Sequence, residues 1–128
     1  MRKLLALRRD ERGVTVIELA IALPILTLFI WGIFQVGVAF QASAGMQHAL
    51  GEGARYATIW PTPTNAQIKQ RVSDEVFGVK VGTFTVANPV DGVNYKDLSV
   101  TFTMPMDFLF FQGPDVNLTR TKRVYVAT

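Results

Sequence analysis

The chain has 128 residues, with 13 Lys and Arg against 10 Asp and Glu, one His and no Cys. That length admits one ordinary domain, or one membrane segment with a small domain, and the lack of Cys excludes a disulfide framework, a thiolate nucleophile and a Cys-ligated zinc. Five basic side chains, among them Arg8, Arg9 and Arg12, face only Asp10 and Glu11 within residues 1–12, while the other 116 residues balance eight basic against eight acidic, so the basic pI describes a short head and argues against a nucleic-acid-binding patch on folded structure.

Between Glu18 and Glu52 the chain carries no formal charge. Leu19–Phe40 is the apolar heart of this stretch, 22 residues in which only Thr27 and Gln35 are clearly polar. A helix needs about 20 such residues to cross a hydrocarbon core of roughly 30 Å, and a chain this short has no soluble core able to hide the run. The spacing predicts a membrane-spanning helix. The basic head precedes the span and the flank after it is neutral, which by the positive-inside bias leaves the N-terminus in the cytoplasm. Pro24 is expected to loosen one turn, because it has no N–H and crowds the carbonyl four residues back. Glu18 sits at the edge of the apolar run. A carboxylate at membrane depth costs on the order of 2–3 kcal/mol even by lenient scales, so it either snorkels to the headgroups or has a partner or a task.

Gly13 lies five residues before Glu18, at the junction of basic head and apolar run. Arg12-Gly13-Val14-Thr15-Val16-Ile17-Glu18-Leu19 resembles the processing site of type IV-like prepilins: a basic leader, a glycine, four further residues, a glutamate and a hydrophobic helix. Leu23-Pro24-Ile25 and the later Gly51-Glu52-Gly53-Ala54-Arg55-Tyr56-Ala57 narrow the resemblance to TadE-like pseudopilins of the Tad (tight adherence) pilus system. It covers roughly residues 8–58. Leu19 departs from the aromatic that often follows the glutamate there, which speaks against the major-pilin branch.

The resemblance implies that a membrane-embedded prepilin peptidase cuts between Gly13 and Val14, where glycine leaves the backbone free of a side chain. Glu18 then becomes the fifth mature residue, and its carboxylate meets the new N-terminal ammonium of a neighbouring subunit. Such pairing would offset the desolvation of the charge. Removing a leader of net +3 would also weaken the positive-inside retention signal. The implied partners are the inner membrane, the prepilin peptidase, other pilins and pseudopilins, and the Tad assembly machinery. A rival reading takes Ala42-Ser43-Ala44 as a signal-peptidase site, but signal h-regions are usually ~7–15 residues and this run is longer. Arg8-Arg9 lacks the context of a twin-arginine signal.

Gln41–Thr58 continues without a breaker to Pro61 and Pro63. Gly45, Ala49, Gly53 and Ala57 recur at four-residue spacing and share one helix face, and such small-residue stripes let helix backbones approach closely. The stripe suits either packing on the C-terminal domain or a subunit–subunit contact, the second being the preferred reading here. One helix over 14–58 would be roughly 68 Å long at 1.5 Å per residue. Thr64 or Asn65 can cap a second helix over about 66–77. Three β-like runs follow, Val79–Ala87, Asp97–Thr103 and Thr119–Val126, with period-two apolar placement. Asn88-Pro89-Val90-Asp91-Gly92 reads as the turn between the first two. Phe108, Leu109, Phe110 and Phe111 crowd together between Pro105 and Gly113. Their expected place is under the sheet; the alternative is an exposed apolar patch marking a protein or membrane contact.

No catalytic constellation emerges. His48 has no companion His or Cys and only Glu52 within a turn, short of the three or four ligands a zinc needs. Gly51-x-Gly53 lacks the third glycine and the preceding strand of a dinucleotide loop. Asp74-Glu75 are neighbours on a solvated helix, and Ser43, Ser73 and Ser99 have no evident base. Asn117-Leu118-Thr119 is a sequon without meaning in a bacterial host.

The expected fold is α+β: a long N-terminal helix with a transmembrane half, a second short helix and a small three-stranded antiparallel sheet. The expected divisions are a basic leader over 1–13, a transmembrane helix over 14–40, its periplasmic extension over 41–59 and a periplasmic domain over 60–128. The expected role is structural, with no enzyme activity, cofactor, metal, nucleic acid or small-molecule substrate. The alternatives are an unprocessed signal-anchored protein with a partner-binding domain, and a secreted module cut after Ala44.

Overall fold

The computed structural model describes residues 11–78, 80–108 and 110–126. Arg8, Arg9, Val79 and Leu109 lie outside the described residues, as does the side chain of Arg12. Helix α1 (Glu11–Ala57) runs for 47 residues with Pro24 inside it. It stops at Ala57 because the next residue turns back on it: the Thr58 N–H and hydroxyl both donate to the Arg55 carbonyl, at 3.3 and 2.8 Å. That satisfies an acceptor which the helix end would otherwise leave open.

The chain divides into two compact units between Phe34 and Gln35. In the first, no residue from Val14 to Phe34 is buried. Large apolar side chains such as Ile17, Leu19, Ile21, Ile25, Phe29 and Ile33 are all exposed. Apolar surface on every side of a helix marks a membrane span or the core of a larger protein.

The second unit begins with the rest of α1. Helix α2 (Asn65–Glu75) follows, opened by a capping box in which the Gln67 N–H donates to Thr64 Oγ1 at 3.3 Å and the Thr64 N–H donates to Gln67 Oε1 at 2.9 Å. Two of the helix's unpaired N-terminal donors are thereby satisfied. The strands are β1 (Thr83–Val86), β2 (Val90–Gly92), β3 (Tyr95–Met104), β4 (Asp107–Phe108), β5 (Phe111–Gln112) and β6 (Val116–Tyr125). Strand β3 is central. It pairs antiparallel with β6 along its whole length, Tyr95 opposite Tyr125 and Met104 opposite Val116. Along its other edge it pairs with β1 (Val86 opposite Val100) and then with β2 (Val90 opposite Asp97).

The sheet is thus three strands wide but has four strands, because one edge is broken. The Asn88–Gly92 segment, expected as a turn, carries strand β2. Across Asn88-Pro89 the pairing register slips by one residue. A proline, with no N–H to give, is accommodated at such an edge. The reversal falls instead at Val93-Asn94, between the paired Gly92 and Tyr95. Asn94 there has φ of 63°, a left-handed conformation that asparagine tolerates and tight hairpins require.

The core follows from alternation on β3. Leu98, Val100, Phe102 and Met104 are buried while the residues between them are not. They join Val38, Ala42, Met46, Ala49 and Leu50 of α1 and Ile68 and Val72 of α2 in one apolar cluster. The opposite face of the sheet is hydroxylated, with Thr101 and Thr119 3.0 Å apart and Thr103 donating to Asn117 at 2.7 Å.

Candidate functional site

The expected processing residues lie together in the first unit. Gly13 and Val14 lie in α1, close to the first described residues, and Glu18 is exposed little more than a turn further on. Among the described residues Glu18 forms no ion pair. Glycine is a poor helix former, which lowers the cost of extending the backbone at Gly13.

The small-residue stripe belongs to the second unit and is used within the chain. Ala49 and Ala57 are fully buried, and a Cβ placed on Gly45 would run into the backbone carbonyl of Phe77. A Cβ on Gly53 would run into Val72 Cγ2. The stripe therefore lets α2 and the segment after it lie close on α1, and these positions are not open to a second subunit. The preferred reading of the stripe as a subunit contact is corrected: periodicity shows which face is smooth, and here the chain's own domain covers it.

Glu52 and Arg55 of the Gly51–Ala57 segment form an ion pair. The Arg55 guanidinium donates twice to Glu52 Oε2, at 3.2 and 2.8 Å, and this holds the Glu52 carboxyl below the usual range. Arg71 of α2 pairs with Glu75 at 2.9 Å and stands 4.0 Å from Glu52. His48 lies beside the Phe77 ring, 3.8 Å from Glu75. The described residues contain no group of His, Asp and Glu able to hold a metal ion.

On the sheet, Arg123 makes a two-pronged pair with Asp97, both bonds 2.8 Å, and its guanidinium lies 4.0 Å above the Tyr95 ring. The bonds from Arg123 lower the Asp97 carboxyl below its ordinary 3.8. Asp91 is lowered by Lys96 and Asn65, which both bond to it. A carboxyl depressed in the folded state stabilises it above the unfolded pKa, and that contribution is lost as pH falls through the folded value. The thermal stability of the full chain in detergent is therefore expected to fall below about pH 4. An Asp97→Asn variant should have a lower Tm above about pH 5, where the native chain keeps this contribution, and a shallower acid decline; identical slopes for both chains would refute the assignment to Asp97.

The Phe-rich segment also differs from its expected place. Strands β4 and β5 pair as a miniature hairpin, with Phe108 stacked on Phe111 at 4.7 Å. Phe110 and Phe111 are 71 % and 58 % exposed, so they do not tuck under the sheet. At that edge the core is closed by Met104, with Met106 packed partly against it. Gln35, the one amide in the apolar run, donates from Nε2 to the Asp107 carbonyl at 2.5 Å. Sequence reasoning noticed Gln35 as polar but gave it no role, and it missed Arg120. Arg120 donates from Nε and Nη2 to Ser43 Oγ at 3.1 and 3.0 Å.

The class of protein that results is an α+β chain with one N-terminal helix long and apolar enough to cross a membrane. Residues 13–55 match the model of a family described as TadE-like protein, the family that the Gly13–Glu18 and Gly51–Ala57 motifs resemble. The match covers about a third of the 128 residues and ends within the charged segment of α1. No curated protein and no solved structure matches the chain.

Proposed function

We propose that the chain is a pseudopilin or minor pilin of a Tad-type pilus, made as a membrane precursor and used in pilus assembly or initiation. The observation that carries this reading is the TadE-like match over residues 13–55, which begins at Gly13. From Val14 to Phe34, within the matched stretch, no residue is buried, as suits a membrane-borne helix. On this reading α1 crosses the inner membrane once, with its basic head in the cytoplasm and the α+β unit in the periplasm, as the charge asymmetry favours. Prepilin peptidase removes residues 1–13. Glu18, without an ion pair among the described residues, is then offered to the ammonium of a neighbouring Val14.

The test is an intact mass and N-terminal sequence of the protein from its own host. A chain starting at Val14 supports the reading. A chain starting at Met1, in cells that express the peptidase, overturns it in favour of a signal-anchored interaction domain, and one starting at Gly45 would mean secretion after Ala44.

A further inference from the structure

An open groove of about 300 Å³ lies in the second unit between α1 and the edge strand β6. Its walls are apolar, with Ala39 and Phe40 on one side and Met104, Met106, Val116 and Leu118 on the other. Its polar features are few and unevenly placed. Gln35 is 6 % exposed, and its Oε1 has no hydrogen-bond partner among the described residues. Arg120 stands at the opposite end, held by Ser43, and pairs with no carboxylate among the described residues. An apolar cleft with a few placed polar groups is the usual form of a ligand site, and this volume is at the small end of the range.

Position along α1 narrows the occupant. If the apolar run over 19–40 fills a hydrocarbon core of roughly 30 Å, Phe40 marks its outer boundary. Gln35 then lies about 7.5 Å inside that boundary and Ser43 about 4.5 Å outside it, at 1.5 Å of rise per residue. The groove begins at acyl-chain depth and ends in the headgroup layer, where Arg120 supplies an uncompensated positive charge. The hairpin carrying Phe110 and Phe111 is tied to Gln35 through Asp107, so it also reaches the depth at which aromatic rings settle in membranes.

We infer that the groove is a phospholipid site. One acyl chain lies along Ala39, Phe40, Met106 and Leu118. The phosphodiester accepts hydrogen bonds from the guanidinium N–H groups of Arg120 that Ser43 does not use. Guanidinium and phosphate match in both charge and donor geometry. The Gln35 Oε1 marks the deep end, where it would accept from a water drawn in with the lipid. This inference rests on the membrane-spanning reading of α1.

The test is native mass spectrometry of the full chain, extracted in detergent and titrated with dioleoyl phosphatidylglycerol. One tightly retained lipid is expected. Arg120→Gln and Ala39→Phe, one removing the cation and the other filling the groove, should each lower its retention about tenfold with unchanged far-ultraviolet circular dichroism. Equal retention in all three chains would overturn the site. A photo-crosslinker at Phe40 should give a lipid adduct; a covalent dimer in its place would assign the groove to a second copy and overturn the inference. Trp31 fluorescence in a Trp60→Phe chain, reconstituted with brominated-chain lipid, separates the two levels. Quenched Trp31 without groove-dependent retention sinks the lipid site alone, whereas unquenched Trp31 sinks the spanning reading with it.

Discussion

A Gly13→Leu chain, produced in cells that carry the prepilin peptidase, is expected to keep all 128 residues, while the native chain shortens to one beginning at Val14. The effect should be close to all-or-none, because the substitution obstructs the one bond the enzyme must reach. Gly13 lies in a helical turn of α1, and glycine costs a helix about 1 kcal/mol relative to alanine. It therefore both eases unwinding of that turn and leaves the peptide bare once unwound. The measurement is the intact mass of the protein from the membrane fraction. Cleavage of the Gly13→Leu chain at the native position would refute the role given to Gly13. A Glu18→Gln chain is expected to behave differently, being cleaved normally but failing to enter assemblies. On the proposed function its carboxylate would act after cleavage, on an ammonium that exists only then.

The expectations that survived contact with the structure were those in which a local pattern dictates one outcome. An uncharged stretch from Leu19 to Phe40 can only be a helix in lipid or the core of a much larger protein. Alternation at Leu98, Val100 and Phe102 turns one face of a strand inward, whatever covers it. Of the two cap candidates, Thr64 and Asn65, Thr64 starts the helix because its hydroxyl takes up a backbone N–H that the first turn leaves open. The misreadings share a physical cause: the deciding interaction is with a distant residue. Asn88-Pro89-Val90-Asp91-Gly92 has the composition of a turn, and β3 captures Val90–Gly92 as a strand by offering a free edge opposite Tyr95–Asp97. The Phe run has no period, so nothing in it says that a two-residue hairpin will leave Phe110 and Phe111 outward. Gln35 and Arg120 were harder still. The only local signal was an amide in an otherwise apolar run, and its meaning depends on Asp107, 72 residues away.

The small-residue stripe leads to the second large effect. Gly45→Ala and Gly53→Ala should each destabilise the folded unit by at least ~2 kcal/mol, since forcing extra methyl groups into a filled contact costs about 1–3 kcal/mol and sometimes more. Gly45 is the more severe case. Its added methyl meets the Phe77 main chain, which cannot rotate away as a side chain can, so α1 and the segment after α2 must part. At Gly53 the obstacle is a Val72 methyl, and a rotation of Val72 within the core can recover some of the loss. For a unit of this size the expected fall in Tm is roughly 10 °C or more, measured on the full chain in detergent. Gly32→Ala and Gly37→Ala are the controls. Nothing lies within 4 Å of a Cβ at either position, so they should leave Tm unchanged or raise it slightly. The comparison also decides between the two uses of the stripe. Were Gly45 and Gly53 reserved for a neighbouring subunit, their alanine variants would unfold at the native temperature and fail only in assembly. A loss of Tm in the isolated chain means that the Gly51–Ala57 motif is needed first to fix the domain to its own helix, before any fibre is built.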